Sequence, residues 1–199
     1  MVQIKYSLIS EGSSDWVLRT IVERYAIFHN FDLVINESLS KPFNGPLGEA
    51  RLRIRTRSNF DSDAVELGLY FTDKDKDREG FDKLKFIEDT IRSVQEVYLT
   101  KSVTGIPDPH LEAWLLSDQN AVKKVFGLRG EDPIPFSDRP PKSQLESLAN
   151  TCGGDDLTPP EARKRLAEEL DLSVLERNSQ SFNQFIHRLK AFLNTQINQ

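Results

Sequence analysis

The chain has 199 residues, of which 38% are hydrophobic and 29% are charged, and its formal net charge at pH 7 is −5. This balance is typical of a globular protein and argues against a generally basic nucleic-acid-binding coat, although a basic surface can still be local. The single cysteine, Cys152, excludes an internal disulfide, and no apolar run approaches the roughly 18 residues of a membrane span, so we expect a cytoplasmic protein without membrane association.

The first half of the chain alternates strand and helix signals. We predict strands over residues 4–10, 50–57, 66–72 and 96–102. One helix is predicted to begin after Ser13 or Ser14, and a second helix to span about residues 80–94. Strands that alternate with helices imply βαβ units. The sequence therefore predicts an α/β fold with a mostly parallel sheet flanked by helices.

The second half of the chain is predicted to be helical. Helices are expected to begin at Asp108-Pro109 and at Thr158-Pro159, where a capping residue precedes a proline at the first helical position. Residues 127–142 are polar and rich in proline, which favours a lid or an inserted loop. A last helix from about residue 180 carries its apolar residues on one stripe, which predicts packing on the sheet or against a partner.

Acidic residues follow two of the predicted buried strands. Glu11 and Gly12 come directly after the first strand, and Asp73 and Asp75 follow the strand at 66–72. Because the carboxyl ends of parallel strands open on one edge of a sheet, we expect these three carboxylates to converge there. Converging carboxylates repel one another unless a cation lies between them, and oxygen ligands suit Mg²⁺ or Mn²⁺. Asp15 either aims at the same cation or interacts with the dipole of the next helix.

Other interpretations of the Asp-x-Asp segment are weaker. A charged loop without special function is one of them, since Asp77 and Glu79 follow. An EF-hand would need a glycine where Arg78 lies and a glutamate where Leu84 lies. A phosphatase with an aspartyl nucleophile would need a threonine at position 77, and it leaves Glu11 unexplained.

The order of these motifs resembles the Toprim fold, in which Glu-Gly follows the first strand and Asp-x-Asp comes two strands later. Toprim domains occur in topoisomerases, bacterial primases, some ribonucleases and the OLD family of nucleases. The spelling Glu11-Gly12-Ser13-Ser14-Asp15 resembles the OLD branch most closely. The segment from Ile106 to Asp118, with Glu-Ala-Trp-Leu-Leu at its centre, and the pattern from Arg177 to Phe182 are similar to small stand-alone Toprim-like proteins that are often encoded beside ATPases.

This resemblance implies a domain organisation. The likeness to Toprim covers residues 1–118, which we expect to form a metal-binding α/β domain. Residues 119–199 would then form a C-terminal helical portion packed on it, or the whole chain would be a single domain. The likeness to the small stand-alone proteins covers nearly the whole chain.

The resemblance also implies a nuclease that hydrolyses DNA or RNA with Mg²⁺ or Mn²⁺, in anti-phage defence or DNA processing, together with a separate ATPase. In such a site Glu11 acts as general acid/base or metal ligand, and Asp73 and Asp75 hold the cation. The OLD branch uses further acids for a second metal, for which Glu112 and Asp118 are candidates, although Asp118 also suits the first turn of a helix capped by Ser117. The branch also uses a lysine near the scissile phosphate. The candidates for this lysine are Lys101 and Lys142.

A row of arginines offers a contact for nucleic acid. In the predicted strand at 50–57 every second residue is an arginine, which places four guanidinium groups on one face; they are Arg51, Arg53, Arg55 and Arg57. Such a row can bind a phosphate backbone, or it can protect an edge strand from aggregation.

Two further functions stay open at this stage. The domain can be an interaction module of an ATPase complex, with a vestigial or purely structural acidic site. It can also be another metal-dependent phosphotransfer enzyme, such as a phosphatase.

Overall fold

The computed structural model describes residues 1–12, 15–40, 42, 48–61, 64–74, 81–154 and 157–197, with the side chain of Asp15 left out. In these ranges four parallel strands form one sheet in the order β2-β1-β3-β4. The strands are β1 (Val2–Ser10), β2 (Phe31–Ile35), β3 (Leu67–Phe71) and β4 (Ser102–Gly105). The predicted α/β fold with a parallel sheet is confirmed.

Helices connect the strands and make up the rest of the described chain. In the first half they are α1 (Asp15–Phe28), α2 (Glu49–Phe60), α3 (Lys83–Val94) and α4 (Glu96–Thr100). In the second half they are α5 (Leu111–Leu115), α6 (Gln119–Val125), α7 (Pro141–Cys152), α8 (Pro159–Glu169), α9 (Leu172–Asn178) and α10 (Gln180–Ile197). The predicted C-terminal helical portion is therefore present.

The sheet separates two apolar clusters, because successive residues of a strand point to opposite faces. Leu69 and Phe71 of β3 join the larger cluster with α1 and the C-terminal helices, whereas Tyr70 joins the smaller cluster beneath α2, α3 and α4. The predicted stripe of α10 is buried in the larger cluster, where Phe185 contacts the ring of Phe71 at 5.0 Å between centroids. The C-terminal portion thus packs on the sheet.

Two of the predicted strands are wrong. Residues 50–57 belong to helix α2, whose buried residues Leu52, Thr56, Asn59 and Phe60 recur at helical spacing. The second strand of the sheet is instead Phe31–Ile35, which lies at the edge beside β1. Residues 96–100 form the short helix α4, and the strand begins only at Ser102.

Of the two helix starts predicted in the second half of the chain, one is confirmed and one is wrong. Thr158 caps α8 as predicted, since its hydroxyl accepts the Glu161 backbone N–H. The start predicted at Asp108-Pro109 is wrong, because these two residues form a bend with a cis peptide bond, and α5 begins only at Leu111. The loop predicted over 127–142 ends two residues earlier, because residues 126–140 form turns and irregular backbone between α6 and α7, and α7 begins at Pro141.

Candidate functional site

The carboxyl ends of β1 and β3 bring Glu11 and Asp73 to one edge of the sheet. Ser10 and Phe71, the last residues of the two strands, are paired in register. Glu11 and Thr72 therefore follow at neighbouring positions, although they are 61 residues apart in the chain. The Thr72 hydroxyl donates a hydrogen bond to the Glu11 carboxylate and so orients it.

Lys83 joins the two acidic segments. Its ammonium nitrogen Nζ lies 3.7 Å from Glu11 Oε2 and 3.2 Å from Thr72 Oγ1, and it donates to the Asp73 carbonyl oxygen at 2.5 Å. The side chain is 18% exposed, so its charge is held within the edge. Asp82 caps α3 and makes Lys83 its first residue, so the lysine lies beside the segment that follows β3.

The Asp73 carboxylate contacts the segment that leads into α5. Its Oδ1 accepts the Leu111 backbone N–H at 3.1 Å, and its Oδ2 lies 3.4 Å from Nδ1 of His110. Burial raises the pKa of the Asp73 carboxyl above its usual value; His110 acts against this shift, and the negative charge of Glu112 adds to it. A positive charge near this carboxyl would favour its ionised form.

The segment that contains His110 is fixed by the start of α10. The Ser181 hydroxyl accepts the indole N–H of Trp114 at 2.8 Å and the backbone N–H of Asp108 at 3.3 Å. The Asn178 side chain donates to the Ser117 carbonyl at 2.9 Å. The segment from Ile106 to Asp118 and the segment from Arg177 to Phe182 therefore contact each other beside Asp73.

Glu112 and Asp118 both have partners within the chain. Glu112 Oε1 lies 2.7 Å from Nη2 and 2.9 Å from Nε of Arg163, and the side chains of Glu112 and Arg163 are 9% and 17% exposed. Asp118, rather than Ser117, caps α6, and its second oxygen accepts the Asp171 backbone N–H at 2.9 Å. These contacts join α5 to α8 and α6 to the start of α9, and a role in a second metal site stays a prediction.

We expect Arg163→Met to lower the free energy of unfolding by about 2 kcal/mol, because it leaves the Glu112 charge buried without its partner. Urea unfolding measures this loss. The double variant Glu112→Leu/Arg163→Met should recover most of it, since neither charge then remains. Additive losses in the two single variants and the double variant would contradict the coupling.

The predicted site lysine Lys101 lies at the wrong end of the sheet. Its carbonyl accepts the backbone N–H of Gly68 near the start of β3, three residues or roughly 10 Å before the strand ends at Phe71. Lys142 is exposed in the first turn of α7. Lys83 takes the position that the prediction gave to Lys101. A signal for it existed, since the helix that follows a parallel strand begins at the carboxyl edge.

The four arginines do not share one face. They lie on helix α2, where residues four apart are neighbours, so Arg51 and Arg55 form one pair of positions while Arg53 and Arg57 form another. Arg53 pairs with Glu49 at 2.8 Å across one helical turn. The predicted alignment of the four guanidinium groups on one face of a strand is therefore wrong.

Two candidate ligands fall outside what the structure describes, namely Asp75 and the side chain of Asp15. Among the residues that are described, no three His, Cys, Asp or Glu side chains are grouped closely enough to hold a metal ion. The described donors at the edge are the carboxylates of Glu11 and Asp73. Their oxygen atoms fit Mg²⁺ or Mn²⁺ in chemistry.

A comparison with known protein families gives a match over residues 11–190, to the family described as "Domain of unknown function (DUF4276)". The chain belongs to this family. The match begins at Glu11 and includes both acidic segments and the start of α10. Neither curated proteins nor solved structures gave a match. Within the described part of the DUF4276 chain, no helix is both long and apolar enough to cross a bilayer.

Proposed function

We propose that this DUF4276 protein is a Mg²⁺- or Mn²⁺-dependent nuclease of the Toprim type, which hydrolyses phosphodiester bonds in DNA or RNA. The observation that carries the proposal is the meeting of Glu11 with the Thr72-Asp73 segment at the ends of adjacent parallel strands. Open α/β sheets bind ligands at this edge. Local chain geometry does not explain why two acidic segments 61 residues apart meet at one edge, and a shared ligand does.

Glu11 and Asp73 would hold the cation, together with Asp75 and Asp15. A bound Mg²⁺ or Mn²⁺ supplies charge neutralisation at a phosphate oxygen and an acidified water. Thr72 orients the Glu11 carboxylate by its hydrogen bond. Lys83 has the position and charge to donate a hydrogen bond to a phosphate oxygen beside Glu11.

The proposed partner and cellular role rest on the family resemblance. A separate ATPase is the proposed partner, in anti-phage defence or DNA processing in the cytoplasm. Cys152 is a free cysteine, which suits a reducing compartment. The arginines of α2 are proposed to contact the nucleic-acid backbone as two pairs rather than as one row.

One observation favours a second candidate, a non-catalytic interaction module. The Glu11 carboxylate already has partners in the Thr72 hydroxyl and the Lys83 ammonium. A lysine that stays on this carboxylate would replace the cation and leave a purely structural edge. The two candidates differ in whether a divalent metal displaces Lys83.

A nuclease assay separates these candidates. The full chain is incubated with supercoiled plasmid and with single-stranded RNA, in Mn²⁺ and then in Mn²⁺ with excess EDTA. We expect cleavage in Mn²⁺ that EDTA abolishes, because the hydrolytic step needs the cation. The Glu11→Gln variant should be inactive, and the exposed Glu96→Gln variant should retain full activity.

Turnover of p-nitrophenyl phosphate without any cleavage of nucleic acid would replace the proposal with a phosphatase. Mn²⁺-independent cleavage, or equal rates in Glu11→Gln and the wild-type protein, would indicate a contaminating nuclease and remove the support. The assay is repeated after separation on a sizing column, so that activity is assigned to the chain itself.

A further inference from the structure

A polar cleft of about 330 Å³ opens beside the acidic edge, between the loop before α5 and the start of α10. Lys74 and Asp108 form one wall of it. The remaining residues that line it are Ala113, Asn178, Ser179, Gln180, Ser181 and Gln184. Its volume is at the lower end of the range for small-ligand pockets, which suits one nucleotide unit rather than a folded partner.

The lining of the cleft selects a polar ligand with mixed hydrogen-bonding groups. The amides of Gln180 and Gln184 offer donors and acceptors, and the Lys74 ammonium offers positive charge beside the Asp108 carboxylate. The Ser181 hydroxyl in this lining already accepts the Trp114 and Asp108 N–H groups. Ala113 contributes the apolar part of this lining. A sugar-phosphate unit with a base matches these groups better than a lipid or an apolar peptide.

Lys74 connects the cleft to the acidic edge. It follows Asp73 directly, and its backbone N–H donates to the Pro107 carbonyl at 2.9 Å, which fixes the start of its side chain. Its Nζ lies 2.7 Å from Asp108 Oδ2, and these side chains are 62% and 47% exposed. Exposed ion pairs contribute little to stability, so a phosphate can compete with Asp108 for the lysine.

We propose that this cleft is the substrate subsite of the chain, where Lys74 binds the phosphate of one nucleotide unit in place of Asp108. Gln180 and Gln184 lie one helical turn apart on α10 and contact the sugar or base of the same unit. This subsite rests on the proposed nuclease function and adds a substrate contact next to the cleaved bond. It gives Lys74, Gln180 and Gln184 a role in substrate binding.

Isothermal titration with thymidine 5′-monophosphate and uridine 5′-monophosphate tests the proposal, in EDTA so that no metal centre contributes. The two key variants should change the affinity in opposite directions. Lys74→Gln should weaken binding about tenfold, the loss expected for one charge-assisted hydrogen bond. Asp108→Asn should tighten it by about threefold, because Lys74 loses its competing carboxylate.

Two controls make the result specific. Thymidine and uridine, which lack the phosphate, should bind equally weakly to the wild-type protein and to both variants. Lys190→Gln removes an exposed lysine farther along α10 and should leave the affinity unchanged. The double variant Gln180→Ala/Gln184→Ala should weaken nucleotide and nucleoside alike.

Absence of binding for both nucleotides up to about 10 mM, or equal affinities in Lys74→Gln and the wild-type protein, would overturn the subsite. Its failure is distinguishable from that of the nuclease proposal. Mn²⁺-dependent cleavage with an unchanged KM in Lys74→Gln removes the subsite and leaves the nuclease. Nucleotide binding with the opposite effects of the two variants, in a chain that cleaves nothing, retains the subsite and removes the nuclease.

Discussion

Asp73→Asn is expected to reduce the rate of Mn²⁺-dependent cleavage by at least about 10³-fold, which corresponds to roughly 4 kcal/mol of lost transition-state stabilisation. The amide keeps the size of the side chain and can still accept the Leu111 N–H at Oδ1. It lacks the negative charge that we propose to hold a divalent cation. The measurement is the initial rate of plasmid nicking at saturating Mn²⁺.

The matched control is Asp89→Asn, which removes an exposed carboxylate from α3 that pairs with Arg92. Its rate should equal that of the wild-type protein. Thermal unfolding in EDTA should show that Asp73→Asn is folded, so that the lost rate reflects the site. If Asp73→Asn retains more than about a tenth of the rate, Asp73 does not hold the cation and the proposed centre is wrong.

Trp114→Ala is expected to lower the free energy of unfolding by about 3–5 kcal/mol, the largest stability change among these predictions. The indole is fully buried, and its ring centroid lies 5.0 Å from that of Phe182 and 5.9 Å from that of Phe185. Its N–H also donates to Ser181. Truncation leaves a cavity between α5 and α10 and removes a contact that fixes the loop around Asp108.

Urea unfolding followed by circular dichroism measures the change, with Phe28→Ala as the aromatic control. Phe28 is 80% exposed, so its loss should cost little. Trp114→Phe should fall between the two, because it keeps part of the ring packing and loses the hydrogen bond. A loss below about 1 kcal/mol for Trp114→Ala would contradict the central position of this residue in the core.

The buried strands were predictable because their sequences match a single physical situation. Residues 4–10 and 66–72 are short apolar runs followed by acids or glycine, and each forms a central strand, β1 and β3, covered on both faces. The stripe on α10 was predictable for a similar reason. Its spacing fits only a helix with one buried face. The residues of the stripe are all buried, namely Phe182, Phe185, Ile186, Leu189, Phe192 and Leu193.

The errors in the predicted fold arise where the local sequence pattern does not distinguish a helix from a strand. In α2 the alternation of arginine with Leu52, Ile54 and Thr56 imitates a strand, yet Ile54 is 65% exposed and the core contacts follow a helical period. Strand β2 is short, contains Asp32 and lies at the sheet edge, so its local pattern is weak. In both cases tertiary packing decides between structures that local sequence leaves nearly equal.

The candidate site, too, was predictable only in part. The meeting of Glu11 with the Asp73 segment was predictable, because each follows a buried strand and the carboxyl ends of parallel strands open on one edge. The contact of His110 with Asp73 depends on the path of the loop before α5, and no local signal encodes that path. Lys83 was missed because lysines are common in charged loops, and only its place at the first turn of α3 distinguishes it.

Glu11 and Asp73 are proposed to bind a divalent cation together, and anomalous diffraction from a crystal soaked in Mn²⁺ tests this binding most directly. We predict an anomalous peak roughly 2.0–2.3 Å from a carboxylate oxygen of both Glu11 and Asp73, with the Lys83 ammonium moved away from Glu11. The peak should be missing in Asp73→Asn crystals soaked in the same way. A wild-type crystal in which Lys83 still contacts Glu11, and Mn²⁺ is bound elsewhere or not at all, would contradict the claim.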